Sequence, residues 1–249
     1  MPRAPMLLAA LALGGCYFTQ SPIRPVPALT FLREGGARQS CLVIFLPGFL
    51  DGSDTFREQL FPDDVLSSGA RCDSVAVDAH FRYYVDRGVA DVLHEDVLAP
   101  AVARGYTEIW LVGTSMGGLG ALLLARDHTD LIDGIVLLSP FLGEPRVVRS
   151  IEEAGGLSSW HPPDPLPREM NDLTYTIHLW AWLRGYVDDP DGRPALYIGW
   201  ADGESFAGTN GMLAAALPEG HVVSAPGEHG WRTWRPLFDR LLTVARPGR

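Results

Sequence analysis

The chain has 249 residues, 47% of them hydrophobic and 10% aromatic, which is enough apolar material to bury one large core and too little bias to suggest disorder. Its formal net charge is −10, and its 20 basic residues are all arginine. An acidic chain with scattered arginines lacks the basic footprint of a nucleic-acid binder, so a single globular domain with some other partner is the starting expectation.

Residues 1–15 contain one arginine and a short apolar run from Met6 to Leu13. A membrane span needs about 20 apolar residues, so this run reads as an export signal. It ends in Leu13, Gly14, Gly15 and Cys16, which resembles a bacterial lipobox. That resemblance implies cleavage before Cys16, lipidation of the cysteine and anchoring in the bacterial cell envelope. Tyr17 and Phe18 stand where an aspartate often directs inner-membrane retention, so the outer membrane is favoured, facing periplasm or exterior. The alternative is an ordinary secretory signal that happens to end in cysteine. Residues 16–27, with Pro22, Pro25 and Pro27, read as an extended tether.

From residue 28 to 249 short β-rich runs alternate with helical patterns. Strands are predicted at 28–32, 41–46, 74–79, 108–113, 134–139, 195–200 and 221–225. Helices are predicted around 54–67, 88–103, 116–127, 205–216 and 232–243. This alternation is the signature of an α/β fold with a mostly parallel sheet of about seven strands flanked by helices. Residues 141–190 are too long for a simple crossover and read as a cap insertion over a site at the sheet edge, with a proline cluster at 160–167 and an aromatic helical stretch after it.

Between the strand "EIWLVG" and an apolar helical run lies "GTSMG", residues 113–117. A serine at such a strand-to-helix junction must adopt a strained turn that projects its hydroxyl above the sheet, and side chains at Gly113 and Gly117 would collide with that turn. A bare G-x-S-x-G pattern is weak; its context carries the weight.

At these residues the chain resembles the α/β-hydrolase family of serine esterases and lipases, over roughly residues 28–245. The resemblance implies a nucleophile, an acid and a histidine in that order. Ser115 is the implied nucleophile. His229, in a glycine-flanked loop after the last strand, is the implied base, ahead of His80, His128, His161 and His221. Asp202 is the implied acid because the strand "ALYIGW" ends just before it; Glu204 follows closely, and Glu144 is the choice if the acid follows the preceding strand instead. The backbone N–H groups of Phe49 and Met116 are the implied oxyanion hole, although Pro47 occupies a place where many relatives carry histidine. Phe141, Trp160 and Trp231 are expected to line an apolar pocket.

Two further cysteines, Cys41 and Cys72, would meet an oxidising compartment in an exported protein. In the α/β-hydrolase sheet the corresponding strands are parallel neighbours, so the resemblance implies both thiols at the amino-terminal edge, within disulfide reach. Two buried free thiols are the alternative.

Residues 93–96, "LHED", lack the second histidine of a zinc motif, and "GTSMGGLG" lacks the lysine of a phosphate-binding loop, so no metal and no cofactor are expected. The expected function is hydrolysis of carboxylic esters, from small-molecule or lipid substrates, through an acyl-enzyme. An amidase, peptidase or acyltransferase of the same fold, or a non-catalytic envelope-binding lipoprotein, would share much of this pattern.

Overall fold

The computed structural model describes residues 21–33, 39–85, 88–171 and 173–248. The expected signal segment 1–15, Cys16 with its lipidation, and the first residues of the tether lie outside these.

Seven strands form one sheet: β1 Ala28–Phe31, β2 Cys41–Leu46, β3 Cys72–Val77, β4 Glu108–Thr114, β5 Gly134–Leu138, β6 Ala195–Ala201 and β7 Val222–Ala225, in the order β1-β3-β2-β4-β5-β6-β7. β1 pairs antiparallel with β3, and every other neighbouring pair is parallel. Parallel strands require crossover connections, and the intervening chain supplies them as helices. These are α1 Ser53–Glu58, α2 Phe61–Ser67, α3 Phe81–Val85, α4 Val89–Leu93, a π-helical turn His94–Leu98, α5 Ala99–Ala103, α6 Met116–Asp127, α7 Pro145–Glu153, α8 Thr174–Leu183, α9 Gly185–Asp188, α10 Ala207–Ala214 and α11 Trp231–Ala245.

The central strands read as continuous apolar runs because both their faces are covered. Leu42, Ile44 and Leu46 of β2 pack into a layer with α6 and the insertion helices, while Val43 and Phe45 pack into the opposite layer with Phe56, Phe61 and Phe238. In that second layer Phe61 and Phe238 stack with ring centroids 4.1 Å apart, tying α2 to α11. Each such buried side chain contributes roughly 1.5–3 kcal/mol of hydrophobic stabilisation, so the two layers together fix the sheet between them.

Cys41 and Cys72 lie directly opposite one another in the β2–β3 ladder, 4.4 Å apart at Cα, and form the expected disulfide. β3 starts at Cys72 and not at Ser74, which removes the two-residue offset read from the sequence. The bond sits at the amino-terminal edge of the sheet.

The carboxyl ends of the six parallel strands share the opposite edge. β1 runs the other way, and its first residue Ala28 pairs with Val77, the last of β3. The N-terminal segment therefore joins the fold at the carboxyl edge. Its Ile23 donates to the Tyr83 hydroxyl at 2.8 Å and accepts back from it at 2.7 Å. The insertion between β5 and β6 holds α7, α8 and α9 and bends over this same edge: its Phe141, Glu144, Met170 and Tyr175 line a cleft there.

Candidate active site

Ser115 joins β4 to α6 at φ 51° and ψ −116°, a left-handed backbone that costs a non-glycine residue on the order of 1–3 kcal/mol. The surrounding chain holds it there. The Ser115 N–H donates to the Leu138 carbonyl at 2.9 Å, and its carbonyl accepts from the N–H of Phe141 at 2.9 Å and of Gly118 at 3.0 Å. The glycines are required by backbone proximity: a Cβ on Gly117 would lie 2.1 Å from the Leu46 carbonyl oxygen, and one on Gly113 would lie 2.5 Å from that of Gly117.

His229 reaches this serine from the loop between β7 and α11. Its Nε2 lies 2.9 Å from Ser115 Oγ, and its Nδ1 lies 2.9 Å from Glu204 Oε2. Trp234 and Phe206 set their rings edge-on to the imidazole at 4.9 and 5.3 Å between centroids, which fixes its plane. The Glu204 side chain is wholly shielded from solvent, whereas the imidazole keeps 30% of its surface exposed.

The carboxylate against His229 is therefore Glu204, and not Asp202 as expected. β6 runs one residue further than the sequence suggests, to Ala201, and the Asp202 N–H still donates to the Ala225 carbonyl at 2.9 Å. That leaves Asp202 exposed on the outer side of the turn. The chain then folds back, with Glu204 N–H on the Ala201 carbonyl at 3.3 Å, and the longer glutamate side chain spans the gap to the imidazole. A further residue, absent from the sequence reading, completes the arrangement. Asn210 of α10 is fully buried and donates from Nδ2 to Glu204 Oε1 at 3.0 Å. Its spacing of six from Glu204 is the only trace it leaves in the sequence.

The loop after β2 comes against the serine, such that a Cβ on Gly48 would lie 3.5 Å from Ser115 Cβ. Phe49 and Met116 both border the cleft beside Ser115, and Met116 opens α6, where a backbone N–H has no acceptor within its own helix. Asp51 of the same loop accepts from Trp231 Nε1 at 3.1 Å, joining this loop to the start of α11. Burial holds the Asp51 carboxyl above its usual range, opposed by the Trp231 hydrogen bond and by nearby His229.

The cleft has a volume of about 910 Å³. Of the three expected lining residues only Phe141 borders it. Trp160 is buried in the core beneath the insertion, where its carbonyl accepts from Arg184. Trp231 packs on Phe56, Phe61 and Trp234 in the layer on the other face of the sheet. The lining instead comes from Phe49, Phe81, Tyr84, Tyr175 and Phe206, with Leu119 and Leu123 of α6. The six other histidines make contacts elsewhere: His94 and His128 stack on one another at 3.9 Å, His221 stacks on Tyr197 at 4.0 Å, His80 packs against Tyr83, His161 Nδ1 lies 3.0 Å from the Ser159 carbonyl oxygen and His178 Nε2 lies 2.7 Å from that of Pro167. Among the described residues no group of three or more histidine, cysteine, aspartate or glutamate side chains has the geometry to hold a metal ion.

These features agree with known proteins. Residues 93–243, more than half of the chain, match the model of the Esterase family, described as "Putative esterase". A search of curated protein sequences finds no match. Among solved structures, a ferulic acid esterase shares 16% identity and superposes with a TM-score of 0.59 over 88% of this chain and 91% of that one. Est1E from Butyrivibrio proteoclasticus shares 18% with a TM-score of 0.58, covering 87% of this chain and 90% of its own. The S-formylglutathione hydrolase FrmB from Staphylococcus aureus shares 16% with a TM-score of 0.55, over 83% and 80%. At such identities the likeness speaks for the fold alone, while the family match speaks for the chemistry. This protein belongs to the Esterase family and is a hydrolase of the α/β-hydrolase fold.

Proposed function

We propose that the protein hydrolyses carboxylic esters through an acyl-enzyme formed on Ser115. The observation that carries this reading is the unbroken hydrogen-bonded chain from Ser115 Oγ through His229 to Glu204, each link 2.9 Å long. His229 Nε2 takes the serine proton as Oγ attacks the ester carbonyl, and Glu204 stabilises the imidazolium that results. The carbonyl oxygen gathers negative charge against the backbone N–H groups of Phe49 and Met116. The C–O bond to the alcohol then breaks, and the alcohol leaves with the proton held by His229. A water molecule, deprotonated by the same imidazole, attacks the acyl-serine and releases the acid.

The same proposal takes Cys16 as the lipidated first residue of an envelope protein. The tether leads into β1, and β1 begins at the sheet edge that carries Ser115, so an anchor at Cys16 would keep the cleft near the lipid surface.

Turnover of a panel of aryl and alkyl esters alongside matched aminoacyl amides tests the reaction. Esters should be cleaved and amides should be slower by orders of magnitude; the reverse order would make the protein an amidase. Mass spectrometry of the mature N-terminus tests the anchor. A diacylglyceryl-type mass on Cys16 is expected, and an unmodified N-terminus downstream of it would remove the anchor from the proposal.

A further inference from the structure

The two backbone donors assigned to the oxyanion hole differ in how they are held. Met116 opens α6 directly after Ser115, which three backbone hydrogen bonds fix in place. Phe49 lies on a turn between β2 and α1, closed by the Asp51 N–H on the Gly48 carbonyl at 3.3 Å. Phe49 and Leu50 at the tip of this turn are exposed, Leu50 by 70%. Pro47 at its start has neither a backbone N–H nor a polar side chain with which to anchor it. The turn is held from its other end, at Asp51.

The Asp51 carboxyl makes contact on two sides. Its Oδ1 accepts from Trp231 Nε1 at 3.1 Å. Its Oδ2 lies against Gly48, 3.0 Å from where a Cβ would stand, and Gly48 is the residue that abuts Ser115. Trp231 is itself fixed, because its ring meets Phe56, Phe61 and Trp234 edge-on at 5.6, 5.5 and 5.2 Å between centroids. It is also the first residue of α11, two residues after His229. One carboxyl therefore ties the turn that carries Phe49 to the segment that carries the base. Beyond the turn, α1 is held separately, by the Ser53 N–H on Asp78 Oδ1 at 3.4 Å.

Resting on the ester-hydrolase reading, we propose that Asp51, through its hydrogen bond from Trp231, is a positioning residue for the oxyanion hole. It keeps the Phe49 N–H where the ester carbonyl oxygen gathers charge. Such a donor accelerates the reaction only if it is already aimed at that oxygen, and a misplacement of about 1 Å costs on the order of 10²-fold in rate. Asp51 does not border the cleft, so its loss leaves substrate binding and the hydrogen bonds from Ser115 through His229 to Glu204 in place and slows the chemical step. Trp231 shares the role through its N–H: a phenylalanine there would keep an aromatic ring in the same packing but could not donate.

The test compares full-length wild type with Asp51→Ala, Asp51→Asn, Trp231→Phe and the double variant Asp51→Ala/Trp231→Phe on one short ester. Asp51→Ala should lower kcat about 10- to 100-fold, less than the 10²–10³ that removal of a donor costs, with KM within about threefold. Trp231→Phe should act in the same direction, and it serves if the alanine variant does not fold. The double variant should fall no more than about twofold below the slower single one, because both remove the same contact. Asp51→Asn, which keeps an acceptor oxygen for Trp231, should recover most of the rate. A second readout is inhibition by an alkyl trifluoromethyl ketone: Ser115 Oγ adds to its carbonyl carbon, the proton passes to His229, and the former carbonyl oxygen carries the charge. Its Ki should rise by the factor by which kcat/KM falls. Single-variant effects that multiply in the double, a Ki that stays in place, or wild-type kcat in Asp51→Ala would overturn the proposal. Failure of the wild type to turn over any ester would instead overturn the ester-hydrolase reading on which it rests.

Discussion

Glu204 binds Nδ1 of His229 at 2.9 Å from a position wholly shielded from solvent, while Asp202, two residues earlier, stands exposed on the outer side of the same turn. Replacing Glu204 by glutamine should lower kcat by about 10⁴, the scale on which loss of the orienting carboxylate acts in serine proteases. Asp202→Asn should change kcat by less than about twofold, as expected of an exposed surface change. Steady-state kinetics of the two variants on one ester separates the acids; the opposite ranking would return the role to Asp202.

Asn210 is expected to act through Glu204 as a positioning residue. In Asn210→Leu the buried Oε1 loses its donor, so Glu204 loses the contact that holds it toward His229. On a short ester kcat should fall on the order of tenfold, the worth of one hydrogen bond to a charged group, with KM within about twofold, and Asn210→Gln should recover part of the loss. A variant whose Tm drops while kcat stays in place would show Asn210 to be structural only.

Much of this was legible in the chain, and the misses have physical causes. The strands were readable because buried parallel strands are short, apolar and β-branched, and the serine because "GTSMG" stood between one of them and an apolar helix. The cysteine pair followed once β2 and β3 were taken as neighbours. Choosing between Asp202 and Glu204 depended on where β6 ends, and a shift of one residue turned the nearer carboxylate outward. Trp160 and Trp231 were misplaced because an aromatic residue has the same composition in a core and in a cleft. The face of α6 that borders the cleft was hidden for a related reason: Met116 through Leu122 are all buried, so no polar stripe marks the side that faces the cleft.

The Cys41–Cys72 bond closes a loop of 31 residues, for which the chain-entropy relation gives about 3.7 kcal/mol. Cys41→Ser, or reduction, should lower Tm by several degrees. The bond lies at the edge of the sheet opposite Ser115, so kcat of the folded variant should stay within about twofold. Two titratable thiols besides Cys16 in denatured, non-reduced protein would contradict the bond.

Asp64 of α2 meets Arg235 of α11, with Arg235 Nη2 2.7 Å from Asp64 Oδ1, yet burial raises its pKa from 3.8 to about 6 against the pull of the arginine. A carboxyl whose pKa is higher folded than unfolded binds its proton more tightly in the folded state. Its contribution to stability is present below the unfolded value and is lost as pH rises through the folded one. Thermal unfolding should therefore show a decline between about pH 4 and pH 7 that is absent in Asp64→Asn. Parallel curves for the two proteins across that range would refute it.

The identity of the nucleophile is best settled by intact-mass spectrometry after reaction with a fluorophosphonate. The wild-type protein should gain one phosphonyl group, located by peptide mapping on Ser115, and lose ester turnover in step with labelling, while Ser115→Ala should remain folded, unlabelled and inactive. Labelling at another residue, or undiminished turnover in Ser115→Ala, would contradict the role assigned to the serine.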